Sequence, residues 1–334
     1  MVLGTPTKEA IILPCMLQVL YHDSIKLTSS VFWKSTSDKW DDDEIIQRVK
    51  TAPCLFNTDA IIQISDDTVV KICESFNSAR SESLTMDLVH AKTFIPVPHV
   101  RRIIRRPFRK KGYDLIVMDL IPNAKPLDTC WDSLSFLAKL KVVLMVRFYL
   151  RQLRCIQAAP LAPPGPLYPQ PAKCCCLQFG CDERGPFPTA MALARHFHQM
   201  LITAKNNSLI ASASRCQPLD GSIFTPLVFT HNFLNMRHIL LDDNGLLWIV
   251  GWNWAGFYPT WFEYLGMRLA ARESLEPSSW KMAINFVVEP SFRMERWMEG
   301  ITRGCSWGMD MASIVCSHSR CNITLNRNVL VVPI

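Results

Sequence analysis

Two short segments hold the residues best placed for chemistry. One is His231-Asn232-Phe233-Leu234-Asn235-Met236-Arg237-His238-Ile239 and the other is Val250-Gly251-Trp252-Asn253-Trp254-Ala255-Gly256. They offer imidazoles and amides but no carboxylate. Imidazole can hold a borderline ion such as zinc, whereas a hard ion such as magnesium needs oxygen ligands. The Phe233 ring cannot orient a hydroxyl proton, Gly251 has no side-chain oxygen, and Asn253 supplies an amide oxygen without charge. With no acid in its own segment to polarise it, His231 is a poor proton carrier. Trp252, Trp254, Phe257, Tyr258 and Trp261 form an aromatic group that reads either as packing beneath these segments or as an apolar cleft wall.

The elements around them follow from periodicity. Leu227 to Thr230 reads as a short buried strand entering the first segment. Leu246 to Val250 is its expected partner across the turn Asp242-Asp243-Asn244-Gly245. Upstream, Ile62 and Ile64 alternate with polar residues, Ser65-Asp66-Asp67 turns, and Thr68 to Ile72 returns, which predicts a hairpin. A helix over 81–91 follows, and Thr93-Phe94-Ile95-Pro96-Val97-Pro98 ends it because each proline forces extended geometry on its predecessor. Val100 to Ile104 and Tyr113 to Leu120 read as strands. Leu134 through Gln157 has apolar residues on more than one face and reads as a helix buried inside an α-rich lobe. Residues 158–189 are an irregular connection, a helix is expected near 189–204, and 259–300 is tryptophan-rich and helical.

With 334 residues and 49% apolar content, the chain can bury a large core. Its net charge of +7 is matched by seven cations in one stretch, Arg101, Arg102, Arg105, Arg106, Arg109, Lys110 and Lys111. That reads as a solvated hairpin tip: the aromatic interleaving of a nucleic-acid surface is missing. Thirteen scattered cysteines read as reduced cytosolic thiols. Cys174-Cys175-Cys176 with Cys181, His196 and His198 lacks zinc-ligand spacing, and so does Cys316 to Cys321. Ala10 to Leu17 is too short and too broken by proline for a leader. Lys139, Lys141, Arg147 and Arg151 interrupt the most apolar helix, so no membrane span is expected.

Taken in order, seven features resemble the aminoglycoside phosphotransferase-like family, particularly its fungal members, over residues 45–300. They are Lys71 on a strand, Glu82 on the next helix, Thr93 to Pro98, the hinge-like Ile116-Val117-Met118-Asp119-Leu120-Ile121-Pro122, Tyr149 to Leu153, Gly185 to Pro188, and the two segments quoted first. The resemblance implies an α+β, bilobal protein-kinase-like fold with a small β-rich N-lobe and a larger, mostly helical C-lobe. Its expected parts are an N-terminal extension (1–45), N-lobe (46–121), C-lobe (122–302) and tail (303–334). It implies that Lys71 holds nucleotide phosphates with Glu82 as its ion-pair partner, and that His231 bridges loop backbone groups. In the family's pattern the catalytic base falls at Phe233 and the metal ligands at His238 and Gly251, so the three positions that do the chemistry are substituted. No glycine-rich loop lies between Phe56 and Asp67.

The expected function is therefore a phosphotransfer-incompetent relative whose cleft binds a small hydrophobic molecule, in secondary-metabolite biosynthesis of an isomerisation or cyclisation type. Phe233, His238, Gly251, Trp252 and Asn253 would line the cleft, with Met118 at the hinge, Glu82 behind, and Lys71 and His231 as polar anchors. No metal or cofactor is expected in that case. One alternative is a small-molecule phosphotransferase using ATP and magnesium through atypical residues. Another is a pseudokinase scaffold that engages a protein through the basic hairpin Arg101 to Lys111. Neither a nucleic acid nor a membrane is an expected partner, and the expected location is the cytoplasm.

Overall fold

The computed structural model describes residues 34–302 apart from 57, 59, 74–75, 106–112, 160–161, 181 and 207–212. The N-terminal extension before residue 34, the tip of the basic hairpin, Cys181 and the tail from 303 lie outside the described residues. What is described forms two lobes. The smaller is a four-stranded antiparallel sheet in the order β1 (Ile61–Gln63), β2 (Thr68–Cys73), β4 (Asp114–Asp119), β3 (Val100–Ile104). Val70, Ile72, Leu115 and Val117 on one face pack against Ile45, Ile46 and Val49 of helix α1 (Asp42–Thr51). Asp41 caps α1 by accepting the Glu44 N–H at 2.8 Å, and three acids follow in the first turn, where the helix dipole favours them.

Residues 34–45 therefore belong to the N-lobe and are not an appendage. Arg102 donates to the carbonyls of Ser37 (2.7 Å) and Trp40 (3.0 Å), and Arg101 reaches Asp119 at 2.6 Å. Two of the seven clustered cations are thus used inside the lobe, fastening the N-terminal segment to β3 and β4.

The other face of the sheet meets helix α2 (Phe76–Lys92). The segment 93–98 then crosses toward the C-lobe. Its Phe94 N–H donates to Gln152 Oε1 (2.7 Å) and its Pro96 C=O accepts from Ile249 N–H (3.0 Å). The C-lobe is built on helix α3 (Phe136–Cys155), α4 (Ala190–Asn206), α5 (Trp261–Glu273), α6 (Ser278–Val287) and α7 (Phe292–Thr302). Val142, Val146, Tyr149, Leu150 and Leu153 put one stripe of α3 in the core. Phe136, Leu137, Leu140 and Leu144 leave another stripe exposed. The expectation of a helix buried inside the lobe holds for the first stripe and not for the second.

Two small sheets carry the segments of interest. β8 (Ile239–Leu241) pairs with β9 (Leu247–Ile249), and β5 (Lys125–Pro126) flanks β8. β7 (Leu227–Thr230) pairs with β10 (Gly256–Pro259), not with the strand after the turn as expected from sequence. The eight-residue excursion 231–238 takes the chain away from β7, so the strand that enters the Asp242 turn is a different one.

The turn itself is organised by one side chain. Asp242 Oδ1 accepts the N–H groups of Asn244 and Leu246, both at 2.9 Å, and Oδ2 accepts Trp248 Nε1–H at 3.1 Å. Replacing Asp242 with alanine leaves three donors to water and is expected to cost about 1–2 kcal/mol in urea unfolding followed by tryptophan fluorescence. An unchanged midpoint would show that the turn does not depend on this carboxylate.

Candidate functional site

β2 presents Lys71 to the cleft and α2 presents Glu82 from behind it. Lys71 Nζ donates to both Glu82 oxygens at 2.7 Å, with the lysine side chain 17% and the glutamate 2% exposed. Glu82 Oε1 also accepts the backbone N–H of Trp252 at 3.1 Å. One buried carboxylate thus joins the N-lobe sheet to the segment that follows β9. Trp252 is fully buried, and its indole N–H donates to Ile249 C=O at 3.0 Å.

His231 bridges the two segments. Its Nε2 lies 2.9 Å from the Val250 carbonyl, which can only accept, so Nε2 carries the proton. Its Nδ1 is then free to accept the Phe233 N–H at 3.3 Å. Burial, then the neighbouring His238 and Lys71, pulls its pKa down to about 3, so the ring stays neutral. His238 follows the same logic with the other tautomer: Nδ1–H donates to the Phe233 carbonyl at 2.8 Å. Burial lowers its pKa to about 4.

Gly251 sits at φ +79°, in the left-handed region that costs a side chain energy. A Cβ built there would stand 2.6 Å from His238 Cδ2 and 2.7 Å from Nε2. The imidazole of His238 fills the space into which a side chain at 251 would project. Gly251 and His238 are therefore one packed unit. Phe233 is buried against Trp254, with ring centroids 4.1 Å apart, and meets the His238 ring at 5.0 Å. With its amide oxygen and nitrogen exchanged, the assignment its neighbours require, Asn253 donates to Gly251 C=O (3.1 Å) and accepts from Trp254 Nε1 (3.3 Å). Met118 lies on β4 opposite Val69, nearly buried.

Lys71, Glu82, His231, His238, Gly251 and Trp252 thus come together. Phe233 and Trp252 support the site from beneath and do not stand open in a cleft. Magnesium does not fit this arrangement: there is no room for an oxygen ligand at 251, and at 238 stands a nitrogen ligand that is already packed. Among the described residues no group of three or more His, Cys, Asp or Glu side chains could hold a metal ion.

Two residues that hold the site escaped the sequence reading. Glu263 on α5, 2% exposed, accepts the N–H groups of His231 (2.7 Å) and Asn232 (3.2 Å). Glu276 accepts the Met236 N–H at 2.8 Å. Both ends of the excursion are therefore fixed to buried carboxylates. Burial raises each to about 7, although the N–H donors pull the other way. A single acid within the otherwise apolar run Trp261-Phe262-Glu263-Tyr264-Leu265 was the available signal, since a buried acid needs partners.

No family model matches the chain, and no curated protein matches it. Solved structures give remote likenesses. The gentamicin complex of APH(2")-IIa has a TM-score of 0.48 at 9% identity, covering 90% of this chain and 96% of that one. The macrolide 2'-phosphotransferase MphH of Brachybacterium faecium gives 0.39 at 11%, covering 80% and 84%. A choline/ethanolamine kinase family protein of Mesorhizobium loti gives 0.41 at 12%, covering 86% and 90%.

The packed unit has a measurable signature. Gly251→Ala is expected to cost about 2–4 kcal/mol, from the left-handed backbone plus the contact with the ring. In a His238→Ala background only the backbone part, about 1–2 kcal/mol, should remain. Equal costs in the two backgrounds would show that the ring does not fill this space.

The four buried titratable groups also set a pH profile. The carboxylates, raised from 4.5 to about 7, keep protons that the unfolded chain releases, so their contribution to stability falls as pH climbs through that window. The histidines, lowered from 6.5 to about 3 and 4, refuse protons that the unfolded chain takes up, so theirs falls as pH drops below 6.5. Between 4.5 and 6.5 the two trends oppose each other. Melting temperature should therefore be flat there and decline on either side. A melting temperature that climbs steadily from pH 5 to 8 would contradict the assignment of these groups.

Proposed function

We propose that this chain is an aminoglycoside phosphotransferase-like protein that transfers no phosphoryl group and whose cleft takes a small, mainly apolar molecule. The observation that carries the reading is the seating of the His238 ring in the space left by Gly251. A magnesium triphosphate needs converging oxygen ligands at the reacting phosphate. Here one ligand position is filled by carbon and nitrogen and the other has no side chain.

Charge supports the same conclusion. Lys71 is neutralised by Glu82, and burial keeps both imidazoles uncharged at neutral pH. A floor with no net charge favours a neutral ligand over a highly anionic one, since a desolvated anion needs a counter-charge. Such a site can still serve catalysis by orientation. Holding an apolar chain in a reactive conformation promotes isomerisation or cyclisation without acid, base or metal. That role is the one we assign to the cleft.

Thermal shift decides between the readings, because a ligand at about 100 times its Kd raises stability by about 2.7 kcal/mol. Mg-ATP is expected to leave the melting temperature unchanged, members of a panel of apolar metabolites to raise it, and labelled ATP to pass no phosphate to any acceptor. Magnesium-dependent stabilisation by ATP, or phosphate transfer abolished by Lys71→Ala, would overturn the proposal and restore the phosphotransferase reading.

A further inference from the structure

The exposed stripe of α3 does not stand alone. Phe136, Leu137, Leu140 and Leu144 recur at helical spacing on one face. α6 lies alongside: Arg147 donates to the Phe286 carbonyl and stacks on its ring (4.9 Å), while Trp131, just before α3, donates to Ser279 Oγ (2.9 Å) and meets Trp280 edge-on. α6 adds Met282 and Phe286 to the exposed apolar set. Three of these side chains project strongly, Phe136 (79% exposed), Leu137 (74%) and Met282 (69%).

The charge on the two helices is of one sign. α3 carries Lys139, Lys141, Arg147, Arg151 and Arg154, α6 carries Lys281, and neither helix contains an acid. Arg147, Arg151 and Arg154 sit close together: burial, then the charges of Arg151 and Arg154, pulls the Arg147 guanidinium below its usual value. Glu289, just past α6, offsets part of this at 3.8 Å from Arg154.

These features select the occupant. A second copy of the chain would set one cationic face against another, with no acid on either helix to neutralise them. Projecting aromatic and aliphatic side chains beside lysine and arginine suit a deformable, anionic interface. We propose that the α3–α6 face docks on a membrane surface bearing anionic phospholipid, with Phe136, Leu137 and Met282 entering the headgroup boundary. The cations that argue against a spanning helix do not argue against this one. No described helix is long and apolar enough to cross a membrane, but a helix lying in the interface needs only one apolar face.

Flotation of the full chain with phosphatidylcholine vesicles, with and without phosphatidylserine, tests it. Binding is expected to the phosphatidylserine vesicles, at least about tenfold tighter than to phosphatidylcholine alone and weakened by added salt. Phe136→Ser with Leu137→Ser should lower it by at least about tenfold, since two exposed apolar side chains lose their burial. Arg151→Glu should lower it several-fold. Met191→Ser, which removes an exposed apolar side chain on α4, should bind as the parent does. No binding to either vesicle, equal binding to both, or binding unchanged in the double variant would overturn the proposal. So would a dimer that the double variant dissociates, which would assign the face to a second copy.

Discussion

The site depends on one competition for volume: a side chain at position 251 cannot be added without displacing the His238 imidazole or the backbone. Gly251 at positive φ lets the ring sit against its Cα, and the ring is kept there by Nδ1–H donating to Phe233 C=O. That carbonyl belongs to a residue packed on Trp254, in a loop whose backbone is held by Glu263 and Glu276. His231 then spans from the same loop to Val250. Removing the ring would leave space, but a ligand at 251 would still need the backbone to leave the left-handed region. Phe233, His238 and Gly251 therefore support one another through packing.

Glu82 has a different part. By accepting from both Lys71 and Trp252 N–H, it couples the sheet of one lobe to the loop of the other through a single buried carboxylate. A lysine held this way presents a compensated charge to the cleft. Coulombic attraction for an anionic ligand is correspondingly small.

Much of the fold could be read from the chain because it rests on local regularities. Alternation at Ile62, Ile64 and Thr68 to Ile72 gave the hairpin, and proline at 96 and 98 gave the crossing between lobes. The partner of β7 was misread because proximity in sequence favoured β9, whereas the strand that pairs lies beyond the second segment. The stripe of α3 was misread because apolar residues on several faces look alike whether a neighbour covers them or not. The attachment of residues 34–45 to the sheet leaves no local mark, because it runs through Arg102, far along the chain. At the site, the convergence of Lys71, Glu82, His231, His238 and Gly251 followed from motif order. The contact between ring and glycine did not, since spacing says nothing of side-chain torsions. Glu263 and Glu276 act from 32 and 40 residues away, on backbone groups that carry no mark in the sequence.

The central claim is that no divalent ion can be held with a nucleotide in this cleft. Electron paramagnetic resonance of manganese, a stand-in for magnesium, reports it directly: the spectrum of Mn-ATP should be the same with and without the protein. Broadening of that spectrum by the protein, reversed by excess magnesium, would place an ion in the cleft and contradict the packing described for His238 and Gly251.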